Sequence, residues 1–359
     1  MFQSTLLEFH KSHGGVFAER EGWLLPLHFG DARAEYEAVR THVGLMELPQ
    51  RAFISLTGPD RTSYLQGLFS NDVRLLTPGR GLYGTFLNQQ GKVLSDARLW
   101  CLEDSFLLDL WRPLKENILA HLNRYLVADD VEVADLSGDY GLITLQGLQS
   151  EAMAARLIEP SSLPKATLDH SLVSLSELQM HVTRYSHTGT DGFDFIVPQD
   201  RMSPFATLIT DIGKAYSARW VGEQTLETLR IEAGIPRYGI DFTDDTLLLE
   251  TGMDHAVSFT KGCYLGQEVV ERIRSRGHVN KKLVGLLLNG SQTPQRGAIV
   301  TLVDEKIGTI TSATHSPIFG RPIALAYVHR DHWSPGTRVE VESAEGPVGA
   351  TVAALPFAA

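Results

Sequence analysis

At 359 residues the chain is long enough for two or three domains, and with 43% hydrophobic and 21% charged residues it has the composition of a soluble globular protein and not of a disordered one. A net charge of −11 argues against a broad phosphate-binding surface, so no direct nucleic-acid partner is expected. No apolar run approaches the roughly 20 residues needed to cross a bilayer, and Glu8, Glu19 and Glu21 near the start do not suit a signal or transit peptide, so a cytoplasmic protein with no membrane partner is expected.

In chain order, the run 53–60 reads as a strand and a glycine turn at Gly58, leading into Tyr64, Leu65 and Leu68 at helical spacing. Apolar strands over 82–110, separated by turn sequences at 88–91 and 103–104, predict an antiparallel meander. A helix with Leu114, Ile118, Leu122 and Tyr125 on one face follows, then a strand at 131–133. The strand–glycine–helix pattern recurs at 142–147, leading into Met153, Leu157 and Ile158. Strands are predicted over 172–182 and 193–197, and a helix over 222–233. This order implies α+β units with antiparallel sheets and not a doubly wound parallel sheet; no GxGxxG or P-loop pattern supports nucleotide binding. Past Lys282 come six short β runs cut by Gly and Pro, at 283–288, 298–303, 307–311, 323–328, 338–341 and 348–353, which predict a small barrel or sandwich.

Cys101 lies in an alternating strand segment and reads as a packed thiol; two cysteines in such different contexts suggest no disulfide, and two thiols cannot by themselves hold a four-cysteine cluster. The thirteen histidines form no group at metal-binding spacing, so no resident metal site is expected. Cys263, by contrast, is flanked by Gly262 and Gly266 and follows Lys261, a cation that favours the thiolate. Chemistry alone leaves two readings, a reactive thiol or a structural cysteine in a turn. The basic run Arg272, Arg274, Arg276, Lys281 and Lys282 that follows suits a solvated face.

The stretch Lys261-Gly262-Cys263-Tyr264-Leu265-Gly266-Gln267-Glu268 resembles the signature of the YgfZ-type folate-binding proteins, a branch of the superfamily that includes the aminomethyltransferase (T-protein) of the glycine cleavage system. Similarity to that superfamily extends along almost the whole chain. The resemblance implies two intertwined α+β domains with antiparallel sheets, built from 1–50 with 140–245 and from 51–139 with 246–276, and a small C-terminal β-barrel at 277–359. The three domains would surround a central folate-binding hole.

A reduced pterin presents a ring N–H and an exocyclic amine as adjacent donors, so a protein that reads it needs an acceptor, flat apolar or aromatic surfaces and a cation. By resemblance, Asp194 after Gly192-Phe193 is the pterin-reading acid, Arg230 a folate-contacting arginine, and Tyr83 and Tyr238 further site tyrosines. His187 joins the cofactor-binding set at a position where the transferases carry tyrosine. Asp96 matches the aspartate that acts at the one-carbon-bearing nitrogen in the aminomethyltransferases, although Ser95 replaces the acid that precedes it there. Cys263, Lys261 and Asp96 form the candidate catalytic set. The resemblance implies a protein that binds tetrahydrofolate or a one-carbon derivative and assists iron–sulfur cluster assembly or repair, with client or assembly proteins as partners, including cluster-dependent tRNA-modifying enzymes, and without turnover of its own. Cys263 would then be a nucleophile, a redox relay or a ligand of a shared cluster. The alternatives are a folate-dependent aminomethyl- or methyltransferase, and a binding module in which Cys263 is inert.

Overall fold

The computed structural model describes residues 1–357. They form two compact units, the first made of 1–66, 72–84 and 96–226 and the second of 67–71, 85–95 and 227 onward. The architecture is α+β with antiparallel sheets and a closed six-stranded C-terminal barrel, as the element order predicts.

The first unit is organised by one six-stranded sheet, in the order His170–Leu175, Leu178–Arg184, Gly192–Pro198, Tyr140–Gln146, Gly44–Glu47 and Arg219–Trp220. All but the last pairing are antiparallel. Side chains alternate across a strand, so Phe193, Phe195 and Val197 face one side together with Ile143 and Leu145. That side is covered by the helices Ser150–Leu157 and Met202–Gly213, which contribute Met153, Ala154 and Leu157, and Met202, Phe205, Ala206 and Ile209, at the spacing of a single apolar stripe. Each large side chain sealed in this layer contributes roughly 1.5–3 kcal/mol.

The opposite face of the sheet meets a five-stranded antiparallel sheet, ordered Gly81–Leu87, Val93–Cys101, Ser105–Trp111, Arg51–Thr57 and Glu132–Asp135. Leu142 and Ile196 from the first sheet pack against Phe53, Trp100 and Leu107 from the second. The same period of two then places Thr144 and Asp194 on the inner face of one sheet, and Arg51, Asp96, Arg98 and Asp109 on the inner face of the other. The layer between the sheets is therefore apolar at one end and charged at the other.

The predicted strand over 172–182 is a hairpin, His170–Leu175 paired with Leu178–Arg184, because Ser176 takes a left-handed conformation (φ 54°) and reverses the chain. An N-terminal three-stranded sheet (Phe2–Gln3, Trp23–His28, Val16–Arg20) has no counterpart in the sequence reading.

In the second unit the barrel strands run Lys281–Leu288, Arg321–His329, Glu305–Ser316, Ile299–Leu302, Arg338–Val341 and Val348–Ala353 around a closed ring. Val284, Leu286, Leu288, Ala324, Ala326, Val328, Val339, Val341, Ala350 and Val352 alternate inward to fill it. Among the described residues, no helix is long and apolar enough to cross a membrane.

Candidate functional site

The charged end of the inter-sheet layer is the chemical centre of the first unit. Arg98, on the strand Val93–Cys101, is 2% exposed and bridges two carboxylates that are wholly buried, Asp109 and Asp194. Asp109 stands directly opposite it on the neighbouring strand, whereas Asp194 comes from the facing sheet. Arg51 donates through Nε to the other oxygen of Asp109 at 2.6 Å. A buried charge is tolerated only when paired and hydrogen-bonded, and here two guanidiniums and two carboxylates alternate. Arg98 also lies 4.3 Å from the centroid of the Tyr185 ring, which adds a cation–π contact. Burial lowers the guanidinium's affinity for its proton, but Asp109 and Asp194 outweigh it and raise the pKa of Arg98 above the usual arginine range.

His187 completes the cluster. Its Nε2 lies 3.0 and 2.9 Å from the two oxygens of Asp194, and its ring meets that of Tyr185 edge-on at 4.9 Å. Burial alone would push the Asp194 carboxyl up; His187 and Arg98 reverse this and hold it well below the usual carboxylate range. Burial also lowers the His187 pKa, with Asp194 opposing and Arg98 and Arg51 reinforcing the shift. The backbone at 187 is fixed by Gln146, whose Oε1 accepts from the His187 N–H (2.9 Å) and from Thr188 Oγ1 (3.2 Å), and whose Nε2 donates to Thr144 Oγ1 (2.7 Å) and to the Tyr185 carbonyl (3.0 Å). Gly192 is required for this approach: a Cβ there would overlap Gln146 Nε2 and sit 2.6 Å from the Tyr185 carbonyl oxygen.

Next to the cluster, within reach of Tyr185 and Arg51, Tyr83 donates to Asp96 Oδ2 at 2.8 Å, and both residues are half-buried. Burial, then the nearby Asp96 and Tyr185, raise the Tyr83 pKa well above the ordinary tyrosine value, which keeps the phenol protonated as a donor. Burial likewise raises that of Tyr185. Asp96, Tyr83, His187 and Asp194 are thus brought into one site, together with three residues absent from the sequence reading: Arg51, Arg98 and Asp109. The signal for them was there, since Arg98 and Asp109 each interrupt an apolar strand, and such a charge requires a partner.

Arg230 and Tyr238 belong to the second unit. Arg230 is 5% exposed and its guanidinium donates to Glu227 Oε2 (3.0 Å), to Asp241 Oδ2 (2.5 Å), to the Ile235 carbonyl (3.2 Å) and to Ser312 Oγ (2.6 Å). A bulge between Ile310 and Ser312 turns Thr311 and Ser312 together toward Asp241 Oδ1, at 2.5 and 2.7 Å, so the network ties the helix Glu223–Glu232 to the barrel. Tyr238 packs edge-on against Phe242 at 5.3 Å.

The Lys261–Glu268 stretch is also in the second unit. Cys263 is exposed in a loop before the helix Gln267–Arg276, and Cys101 is buried; both are free thiols. The Lys261 ammonium is buried, donating to the carbonyls of Phe69 (2.5 Å) and Asn71 (2.9 Å) and lying 4.9 Å from the Tyr264 ring centroid. It therefore anchors the 69–71 segment. Among the described residues, no group of three or more His, Cys, Asp or Glu side chains is arranged to hold a metal ion.

Residues 6–261 match the GCVT N-terminal domain, and residues 281–358 match the glycine cleavage T-protein C-terminal barrel domain. The chain is 33% identical to an aminomethyltransferase of Rubrobacter xylanophilus, over 99% of this chain and 94% of the relative, and 31% identical to one of Bacillus subtilis, over 99% and 98%. Its structure superimposes on the glycine cleavage system aminomethyltransferase T of Bartonella henselae with a TM-score of 0.90 at 26% identity, covering 99% and 98% of the two chains. These matches overturn the expected role in iron–sulfur cluster assembly, and with it the expected cluster-protein partners and link to tRNA modification. That expectation rested on an eight-residue motif, whereas the full-length relatives are aminomethyltransferases by name. The similarity likewise identifies the wider superfamily and not its YgfZ branch. The chain belongs to the glycine cleavage T-protein family.

Proposed function

We propose that the chain is a folate-dependent aminomethyltransferase. The relatives it resembles over its full length carry that name, and the first unit holds a set of groups that fits a reduced folate. The observation that carries the reading is the Tyr83–Asp96 hydrogen bond at 2.8 Å, which orients a half-buried carboxylate near Tyr185, whose ring in turn meets that of His187 edge-on. An oriented, partly desolvated carboxylate suits proton transfer to and from an amine, and flat rings around it suit a pterin.

Tetrahydrofolate, when bound, supplies the nitrogen that accepts the one-carbon unit. In the overall transfer two folate nitrogens each form a bond to the methylene of an aminomethyl group carried on a thiol, the carbon–sulfur bond and the carbon–nitrogen bond of that group break, and the two folate N–H protons leave with the thiol sulfur and the ammonia; methylenetetrahydrofolate, the free thiol and ammonia are the products. Asp96 orients the accepting amine and takes up or returns its proton, while Tyr83 holds the carboxylate in place. The buried Arg51–Asp109–Arg98–Asp194 chain fixes the inner wall, so that the site needs no rearrangement of charge as the reaction proceeds.

The test is turnover: purified protein, tetrahydrofolate and an aminomethylated thiol carrier, with methylenetetrahydrofolate and ammonia measured together. The two products forming in equal amounts, dependent on the protein, supports the reading. No product with a carrier that a Bacillus subtilis aminomethyltransferase accepts refutes it.

A further inference from the structure

The structure assigns the pterin-reading acceptor of this chain to His187 Nδ1, with Asp194 and Arg98 as positioning residues behind it; the inference rests on the folate reading above. Asp194 is 0% exposed, and its carboxylate already accepts from Arg98 and from His187, so no face of it is presented to a ligand. His187 is 16% exposed on its side chain. The ring therefore stands between the buried acid and the solvent side of the site.

The tautomer follows from the partners. An ionised carboxylate can only accept, so the nitrogen that faces it, Nε2, must carry the proton. A neutral imidazole has one N–H, and burial favours the neutral form here, which leaves Nδ1 as a bare lone pair. Nδ1 has no hydrogen bond among the described residues and lies on the ring edge turned away from Asp194. Gln146 pins the backbone at 187, and Tyr185 packs against the ring at 4.9 Å. The result is a single acceptor, fixed in direction, next to an aromatic ring that is itself braced by Arg98. It matches a heteroaromatic ligand that offers a ring N–H or exocyclic amine, the donor face of a reduced pterin in its 4-oxo form. A carboxylate in this place would accept from both donors; one imidazole nitrogen accepts from one.

The experiment uses two substitutions that separate the two ring nitrogens. In His187→Gln the amide N–H takes the place of Nε2 and still donates to Asp194, but the Nδ1 acceptor is gone. In His187→Asn the amide oxygen takes the place of Nδ1. Titration with tetrahydrofolate should show affinity falling about five- to tenfold in His187→Gln, the loss of one net hydrogen bond, and His187→Asn recovering to within about threefold of the wild type. Equal affinity for wild type and His187→Gln overturns the inference while the folate reading stands. A wild type that binds no reduced folate overturns both.

An independent readout is the nitrogen NMR spectrum of 15N-histidine-labelled protein. His187 should show a protonated Nε2 and a bare Nδ1 that shifts on adding tetrahydrofolate, and Asp194→Asn should give a mixture of tautomers with weaker binding. A protonated Nδ1 in the free wild type overturns the inference without reference to any variant.

Discussion

Replacing Arg98 by methionine removes a cation that touches both Asp109 and Asp194 while keeping a side chain of similar length between the sheets. Both carboxylates are wholly buried, so neither can turn to water; Asp109 keeps Arg51 and Asp194 keeps His187. Breaking a buried pair by removing one partner costs about 3–5 kcal/mol, most of it from the charge left behind. With a urea slope of about 2–3 kcal/mol/M, the denaturation midpoint of Arg98→Met should fall by roughly 1–2 M, followed by tryptophan fluorescence and far-UV circular dichroism. The exposed pair Arg33–Glu37, whose side chains are 78% and 59% exposed, supplies the control: Arg33→Met should change stability by less than about 0.5 kcal/mol. Adding Asp194→Asn to Arg98→Met should recover part of the loss, because Asp109 keeps Arg51 and no buried carboxylate is then left without a permanently charged partner. A midpoint for Arg98→Met equal to that of Arg33→Met would refute the argument that this network holds the two sheets in place.

Two further outcomes follow from buried groups elsewhere in the chain. Burial, reinforced by His170, lowers the His181 pKa from its ordinary 6.5 to about 4. Between these values the unfolded chain binds a proton that the folded chain does not, so this contribution is full above about pH 6.5 and is lost as the pH falls toward 4, up to about 3 kcal/mol; His181→Phe should flatten that part of the stability–pH curve measured by urea titration, and an unchanged slope would contradict it. Iodoacetamide at neutral pH should label Cys263, which is exposed, and leave Cys101, which is 7% exposed and whose pKa burial raises; mass spectrometry finding Cys101 labelled first in the native protein would contradict the placement.

The barrel was legible in the sequence because its β runs are cut by Gly and Pro and local pattern is enough to mark them, although Glu305–Ser316 and Arg321–His329 extend beyond the runs at 307–311 and 323–328. The helix predicted over 222–233 appears as Glu223–Glu232 for the same reason, since its apolar spacing is local. The N-terminal sheet was not legible: Phe2–Gln3 is two residues long, and Val16–Arg20 is an exposed edge with no apolar alternation. The candidate site was legible at Asp96, Tyr83, His187 and Asp194, through resemblance. The groups that position them were not, because Arg98 meets Asp194 across 96 residues and the two facing sheets decide that meeting. Lys261 shows the same limit. Sequence proximity suggests that it serves Cys263, whereas its ammonium is drawn to carbonyls about 190 residues away, where a buried cation finds acceptors.

The measurement that bears most directly on the account compares Asp96→Asn with wild type for aminomethyl transfer and for tetrahydrofolate binding in the same preparation. Asparagine keeps the shape and still accepts from Tyr83 but cannot take up a proton. For Asp96→Asn the expected result is a fall in kcat of about 10²–10⁴-fold, with the dissociation constant for tetrahydrofolate changed by less than about threefold. Undiminished transfer by Asp96→Asn would contradict it.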